Sequence, residues 1–180
     1  MHYRAAQNPD GHSRRRSRLL LAICAAVLVI SAMTAPLSAH AAVSSLTQAL
    51  HIQAAYDVSP SVDLACGGLR AKGVGTADGT PIGPSTWADN ECASLVARLG
   101  KVVINGNLVI AGTHGTLNIA YTATAPLPIT LTIHPSGTFT ITSGTGDFAG
   151  ATGYGTVTAK GSLIPPGPAT AQLSGVITLP

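Results

Sequence analysis

Apolar and polar residues alternate along much of the second half of the chain, which is the pattern of strands that bury one face. Residues 116–124 place Leu117, Ile119 and Tyr121 on one face, and residues 137–161 predict a strand, a glycine-rich turn and a second strand. Similar short segments recur with Gly, Pro and Asn between them. The pattern predicts an all-β fold, either a single antiparallel β-barrel of about eight strands or, as the alternative, a β-sandwich. We favour the barrel because pairing of the last strand with an early one removes exposed edges.

Three stretches interrupt this pattern. Asn105-Gly106 lies between apolar, β-branched runs, and Asn-Gly in that setting predicts a tight hairpin turn. Residues 75–86 contain Asp-Gly and two prolines and predict a loop. Residues 42–61 have neither clear alternation nor a clear helical stripe, so we expect a separate N-terminal segment, helical or unstructured, before a barrel domain at 62–180.

Residues 1–41 have the organisation of a secretory signal peptide. Arginines at positions 14, 15, 16 and 18 precede the apolar run Leu19–Ile30, and small residues at Ala39 and Ala41 suit cleavage after Ala41. The apolar run is shorter than the roughly 20 residues that a membrane-spanning helix needs, which argues against the alternative of an uncleaved anchor. We therefore expect an exported, extracellular protein with no transmembrane segment after cleavage.

Removal of the signal changes the charge balance. The 180-residue chain has a formal net charge of +3, but half of its ten lysine and arginine residues lie within residues 1–41. The remainder is close to neutral and has no basic cluster, so the sequence does not predict a nucleic-acid partner.

Two cysteines, Cys66 and Cys92, remain beyond the signal. An even pair in an exported protein predicts one disulfide. The rival interpretation, a reactive or metal-binding pair, is weaker because their spacing is far from Cys-x-x-Cys and no histidine flanks them.

The glycine-rich stretch TSGTGDFAGATGYGT, residues 142–156, resembles the signature of the allene oxide cyclase and dirigent barrels, most of all their small secreted bacterial relatives. Ser143 and Asp147 depart from the usual pattern, and the closing residues 175–179 also fit the last strand of that family. The specific part covers about 15 to 20 residues, and the first third of the chain with its cysteines has no counterpart in the family.

The resemblance implies a calycin-type barrel of eight antiparallel strands, often trimeric, with a largely apolar interior. In the plant members that interior steers the cyclisation of an oxylipin epoxide or the coupling of phenoxy radicals. The glycine motif is a scaffold element there, so it implies structure and no activity; its members are Gly144, Gly146, Gly150, Gly153 and Gly155. None of the family's catalytic groups can be placed on a numbered position of this chain.

Asp89 and Glu91 are the weak catalytic candidates. If the disulfide holds this segment at the mouth of a barrel, burial would raise the pKa of one carboxyl and suit it to general-base catalysis. The simpler interpretation is a solvated acidic loop.

Trp87, Tyr121 and Phe139 are candidates for lining an apolar ligand site, with core packing as the simpler interpretation. The histidines have no ligands at zinc-like spacing, and the glycine spacing does not suit a nucleotide loop, so no metal or cofactor is predicted. The sequence favours a secreted barrel that binds a small hydrophobic molecule or serves as an extracellular scaffold. The alternative is an isomerase or cyclase acting on a reactive apolar substrate, and whether the protein is an enzyme stays open.

Overall fold

The computed structural model describes residues 45–96, 99–128, 130–162 and 166–180. These residues form nine strands: β1 (Leu46–Asp63), β2 (Gly68–Thr80), β3 (Ser85–Val96), β4 (Lys101–Gly112), β5 (Gly115–Pro126), β6 (Thr132–Ile133), β7 (Ser136–Gly144), β8 (Thr152–Ser162) and β9 (Gly167–Leu179). Short 3-10 turns lie at Leu64–Cys66 and Gly146–Phe148. The signal peptide predicted at residues 1–41 lies outside the described residues.

Eight of the strands close into an antiparallel barrel, as the sequence predicts, and the sandwich alternative is wrong. Neighbouring strands pair in the order β1-β2-β3-β4-β5-β7-β8-β9, and β9 pairs with β1 to complete the cylinder. The short β6 pairs with the end of β8 next to β7. Every barrel strand thus has two partners, which leaves no exposed edge along the cylinder.

The barrel begins earlier in the chain than the sequence suggests. Residues 46–61, expected to be helical or unstructured, belong to β1, which pairs with β2 and β9 along its length. Leu50, Ile52 and Ala54 face inward and are buried, while the residues between them are exposed. Their alternation has period two, but alanines weaken its contrast with the outer face. The compact unit that contains the barrel runs from Ala41 to Pro180.

The hairpin predicted at Asn105-Gly106 is wrong, since both residues lie inside the continuous strand β4. Asn105 faces outward and its side-chain oxygen accepts a hydrogen bond from the Thr122 hydroxyl at 2.9 Å. Gly106 faces inward, and a Cβ there would collide with the ring of Tyr121 on β5. The glycine therefore makes room for a side chain of the neighbouring strand and does not form a turn.

The loop predicted at residues 75–86 is also shorter in the structure. β2 continues to Thr80 and β3 begins at Ser85, so only a tight connection at residues 81–84 separates them. Ile82 in this connection is buried in the core. The sequence thus predicted the position of the turn correctly, but the predicted loop was too long.

One end of the barrel is filled by large side chains. Ile82 from the β2–β3 connection and Phe148 from the glycine-rich turn cover the interior at this closed end. Gly146 and Gly150 have positive φ angles of 60° and 76°, which fit the tight corner that brings Phe148 inward. Beneath them lie Leu50, Ile110, Leu117, Phe139, Ile141 and Ile177.

The disulfide pairs the cysteines as the sequence predicts. Cys66 ends the 3-10 turn between β1 and β2, Cys92 lies on β3, and their Cα atoms are 5.5 Å apart. The Ser94 hydroxyl donates a hydrogen bond of 2.8 Å to the Cys66 carbonyl and ties the same turn to β3. The bridge thus fixes the β1–β2 connection to the strand that carries Asp89 and Glu91.

We predict that the double variant Cys66→Ser/Cys92→Ser folds but is less stable by about 3–4 kcal/mol, because the bridge closes a loop of 26 residues in the unfolded chain. The free energy of unfolding in urea, measured with and without reductant, tests this. Reductant should destabilise the wild type and leave the variant unchanged. Two free thiols in the oxidised, unfolded protein would contradict the bridge.

Candidate functional site

The end of the barrel opposite Phe148 contains a cavity of about 150 Å³. Small side chains on several strands create it, since Ala71, Ala123, Ala159 and Ala171 point inward where the closed end has leucine, isoleucine or phenylalanine. Leu69 lines the cavity and is also partly exposed, so the cavity reaches solvent at this end, which we call the mouth. A cavity of this volume is large enough for a molecule of the size of benzene.

An aromatic pair forms one wall. Tyr56 of β1 and Trp87 of β3 stack with ring centroids 5.2 Å apart and planes inclined by 23°. Trp87 is almost fully buried, and its indole N–H donates a hydrogen bond of 3.3 Å to the Asp89 carboxylate. The Tyr56 hydroxyl makes no hydrogen bond to any of the residues that the structure describes, so it offers a donor to a molecule in the cavity.

Glu91 and Tyr121 supply the main polar pair of the cavity. The Tyr121 hydroxyl on β5 donates a hydrogen bond of 2.6 Å to Glu91 Oε2 on β3. Burial raises the pKa of the Glu91 carboxyl; the Tyr121 hydrogen bond opposes this effect and the nearby Asp89 charge adds to it. Burial, followed by the charge of Glu91, raises the pKa of Tyr121, so this phenol stays protonated and keeps its donor role.

Asp89 lies deeper than Glu91 on the same face of β3. It is only 8% exposed and is the one buried charged residue of the described chain. Burial raises the pKa of its carboxyl, although hydrogen bonds from the Trp87 indole and the Gly73 backbone N–H oppose the rise. No lysine or arginine of the described chain lines the cavity, so no cation compensates either carboxyl.

Two inward-facing glycines make room for these groups. A Cβ on Gly73 of β2 would collide with the Asp89 carboxylate and come too close to the Tyr56 ring. A Cβ on Gly106 of β4 would overlap the Tyr121 ring. The site therefore depends on glycines in strand interiors, positions where glycine otherwise weakens a sheet.

The structure brings together most of the residues predicted from the sequence. Trp87, Glu91 and Tyr121 line the cavity, and Asp89 lies directly beside Trp87. Phe139 lies in the packed core and does not line the cavity. Their role in ligand binding or catalysis stays a prediction.

Asp89 and Glu91 are not in the solvated acidic loop of the simpler interpretation, but inside β3 with their side chains directed inward. The spacing of two between Trp87, Asp89 and Glu91 carries the signal, because alternate residues of a strand share a face. Tyr56 was missed, since its segment was not recognised as a strand. Its spacing from Leu50, Ile52 and Ala54 is the pattern that could have found it.

Three further observations bear on the kind of site. Within the described ranges, no group of three or more His, Cys, Asp or Glu side chains could hold a metal ion. No helix in the same ranges is long and apolar enough to cross a membrane. Comparisons with known protein families and with curated proteins find no match to this chain.

The site can act in two ways. A carboxyl and a phenol in an apolar cavity can accept and donate hydrogen bonds to a polar group on an otherwise apolar molecule. A carboxyl whose pKa is raised by burial holds its proton to a higher pH than an exposed carboxyl, which suits it to proton transfer.

We predict that lowering the pH from 7 toward 4.5 stabilises the fold through these two carboxyls. Because their pKa values are raised in the folded state, the folded protein binds more protons than the unfolded chain above pH about 4, and stability falls as pH rises through this window. Asp63 has a lowered pKa through its Arg70 partner, and its contribution is lost only as the pH falls below this window.

Urea unfolding at several pH values should therefore show a shallower pH dependence in the variant Asp89→Asn/Glu91→Gln than in the wild type. Asp57→Asn, which changes an exposed carboxylate on the outer wall, should keep the slope of the wild type. An equal slope in all three proteins would contradict the assignment.

Proposed function

We propose that the barrel binds a small, mostly apolar molecule that carries one hydrogen-bonding group. The observation that supports this proposal most is the Glu91–Tyr121 pair, which presents polar atoms to a cavity otherwise lined almost entirely by apolar side chains. A ligand hydroxyl would donate to the Glu91 carboxylate or accept from the Tyr56 hydroxyl. The ligand's apolar body would lie against the Tyr56 and Trp87 rings and the alanines of the opposite wall.

The cavity volume limits what can be held inside. About 150 Å³ suits a single ring or a short chain. A longer molecule would place its polar end or ring beside Glu91 and extend through the mouth. Export as a secreted protein, which the N-terminal sequence supports, would place this function outside the cell.

Trp87 provides a direct test, because it is the only tryptophan of the chain and lines the cavity. We expect para-cresol to change the fluorescence of Trp87 with saturation. Toluene, which lacks the hydroxyl, should bind about 10- to 150-fold more weakly, since a hydrogen bond to a charged group contributes about 1.5–3 kcal/mol.

A matched pair of variants separates binding in the cavity from binding elsewhere. Ala159→Phe adds a ring inside the cavity and should abolish the response. Ala55→Phe adds the same ring on the exposed outer wall of β1 and should leave it unchanged. Equal binding by both variants, or no response to either compound, would refute the cavity as a ligand site.

A second candidate function is an isomerase or cyclase that acts on a reactive apolar substrate. The raised pKa of Glu91 beside a phenol favours it, since a binding site has no need of a carboxyl poised for proton transfer. In this proposal Glu91 exchanges the proton, and Tyr121 orients the carboxyl and stabilises its charged form. The aromatic wall holds the substrate in one conformation.

The test supplies an unstable unsaturated fatty-acid epoxide, which cyclises spontaneously to a racemic product. Catalysis in a chiral cavity should give an excess of one enantiomer. Glu91→Gln, which keeps an acceptor for Tyr121, should lose the rate enhancement by about 10²-fold or more if Glu91 transfers the proton. A racemic product with the wild type, while para-cresol still binds, would leave the ligand-binding function and remove the catalytic one.

A further inference from the structure

Exposed large apolar side chains concentrate around the mouth of the barrel. We call the following six residues the apolar rim: Val62, Leu64, Leu95, Leu99, Leu127 and Leu131. Leu64 is 90% exposed, and the others are 41% to 79% exposed. At the closed end, Leu46 is the one comparable residue among those described, while Val74, Val109 and Tyr154 lie on the outer wall.

The rim residues lie in or next to three different connections. Val62 is near the end of β1 and Leu64 follows that strand; Leu95 is near the end of β3 and Leu99 follows that strand; Leu127 and Leu131 lie between β5 and β6. They therefore lie at three separate positions around this end of the barrel. Leu69 lines the cavity and is 45% exposed, so apolar surface continues from the rim into the cavity.

Basic side chains share this half of the barrel. Outside the cavity the mouth half carries Arg70, Lys72, Lys101 and Lys160 against Asp57 and Asp63. Asp63 forms an ion pair with Arg70, with 2.6 Å between its Oδ2 atom and the arginine Nε. Of the charged side chains just named, three lysines and one acidic residue, Asp57, then remain in the mouth half. The closed half carries Asp78 and Asp147 and no lysine or arginine among the described residues.

We infer that the mouth docks on a lipid surface that contains anionic headgroups. Exposed apolar side chains at one end of a domain, together with lysines on the same half, are the combination that holds a protein in the boundary between headgroups and acyl chains. In this orientation the rim enters the boundary and the lysines meet the phosphates. The cavity then opens onto the acyl chains, and an apolar molecule passes from the lipid into the barrel without crossing water.

This inference extends the proposed function but does not require it, because docking can be measured with an empty cavity. The probe is a vesicle of phosphatidylcholine and phosphatidylglycerol, and the protein is the chain from Ala42 onward, which contains the whole barrel. Starting at Ala42 also removes the apolar run at residues 19–30, which would bind lipid by itself.

Vesicle flotation should recover the wild type with mixed vesicles. Recovery should be weaker with phosphatidylcholine alone and weaker again at high salt. The rim variant Leu64→Ser/Leu95→Ser should bind mixed vesicles about tenfold more weakly, because it removes two leucines from the boundary. The control variant Leu46→Ser/Val74→Ser removes side chains that are 59% and 68% exposed but lie away from the mouth, and should bind as the wild type.

Equal vesicle binding by the rim and control variants, or no binding by the wild type, would overturn the inference. Sedimentation velocity without lipid tests whether the apolar rim instead binds a second copy of the chain. A dimer that the rim variant loses, combined with no vesicle binding, would assign the rim to a second copy of the chain. Loss of the para-cresol response with intact vesicle binding would refute the cavity function and leave the docking surface.

Discussion

The closure of the sheet by β1 is the interaction on which the rest of the structure depends. β1 pairs with β2 on one side and with β9 on the other, so the last strand of the chain meets the first. Without it, β2 and β9 would each present an open edge and the interior would be exposed. Closure also sets the register that directs Leu50, Ile52 and Tyr56 inward. The core at one end and the aromatic wall of the cavity at the other thus depend on the same strand.

The asymmetry of the barrel follows from the size of its inward-facing side chains. Toward the closed end each layer has leucine, isoleucine or phenylalanine, and Phe148 from the glycine-rich turn completes the packing. Toward the mouth several of these strands have alanine or glycine instead, as at Ala123, Ala159 and Gly161. Protein interiors pack to high density wherever side chains can fill the space, so the cavity results from the small side chains toward the mouth.

Local patterns predicted the fold class because strand alternation and turn composition depend on neighbouring residues. The corner at residues 144–150 was predicted correctly, since its glycines adopt backbone conformations that other residues avoid. The hairpin turn predicted at Gly106 was wrong for the opposite reason, because the role of this glycine is set by Tyr121 on the neighbouring strand. Half of the site was likewise visible in the spacing of Trp87, Asp89 and Glu91. Tyr56 was not predicted, because alanines weaken the contrast between the two faces of its segment, and only the pairing with β9, more than 100 residues away, fixes that segment as a strand.

The two inward carboxyls argue that this cavity has a role beyond packing. Asp89 and Glu91 lie on the strand that the disulfide fixes, and burial makes both carboxyls harder to ionise. The Asp89 charge adds to this effect at Glu91, and no lysine or arginine of the described chain lines the cavity. Apolar residues of similar volume would stabilise a pure scaffold more, since buried charge without a counterion is unfavourable. Glycine at positions 73 and 106 also leaves the space that the Asp89 carboxylate and the Tyr121 ring occupy. These features weaken the fold, and they therefore support the proposal that the cavity has a ligand.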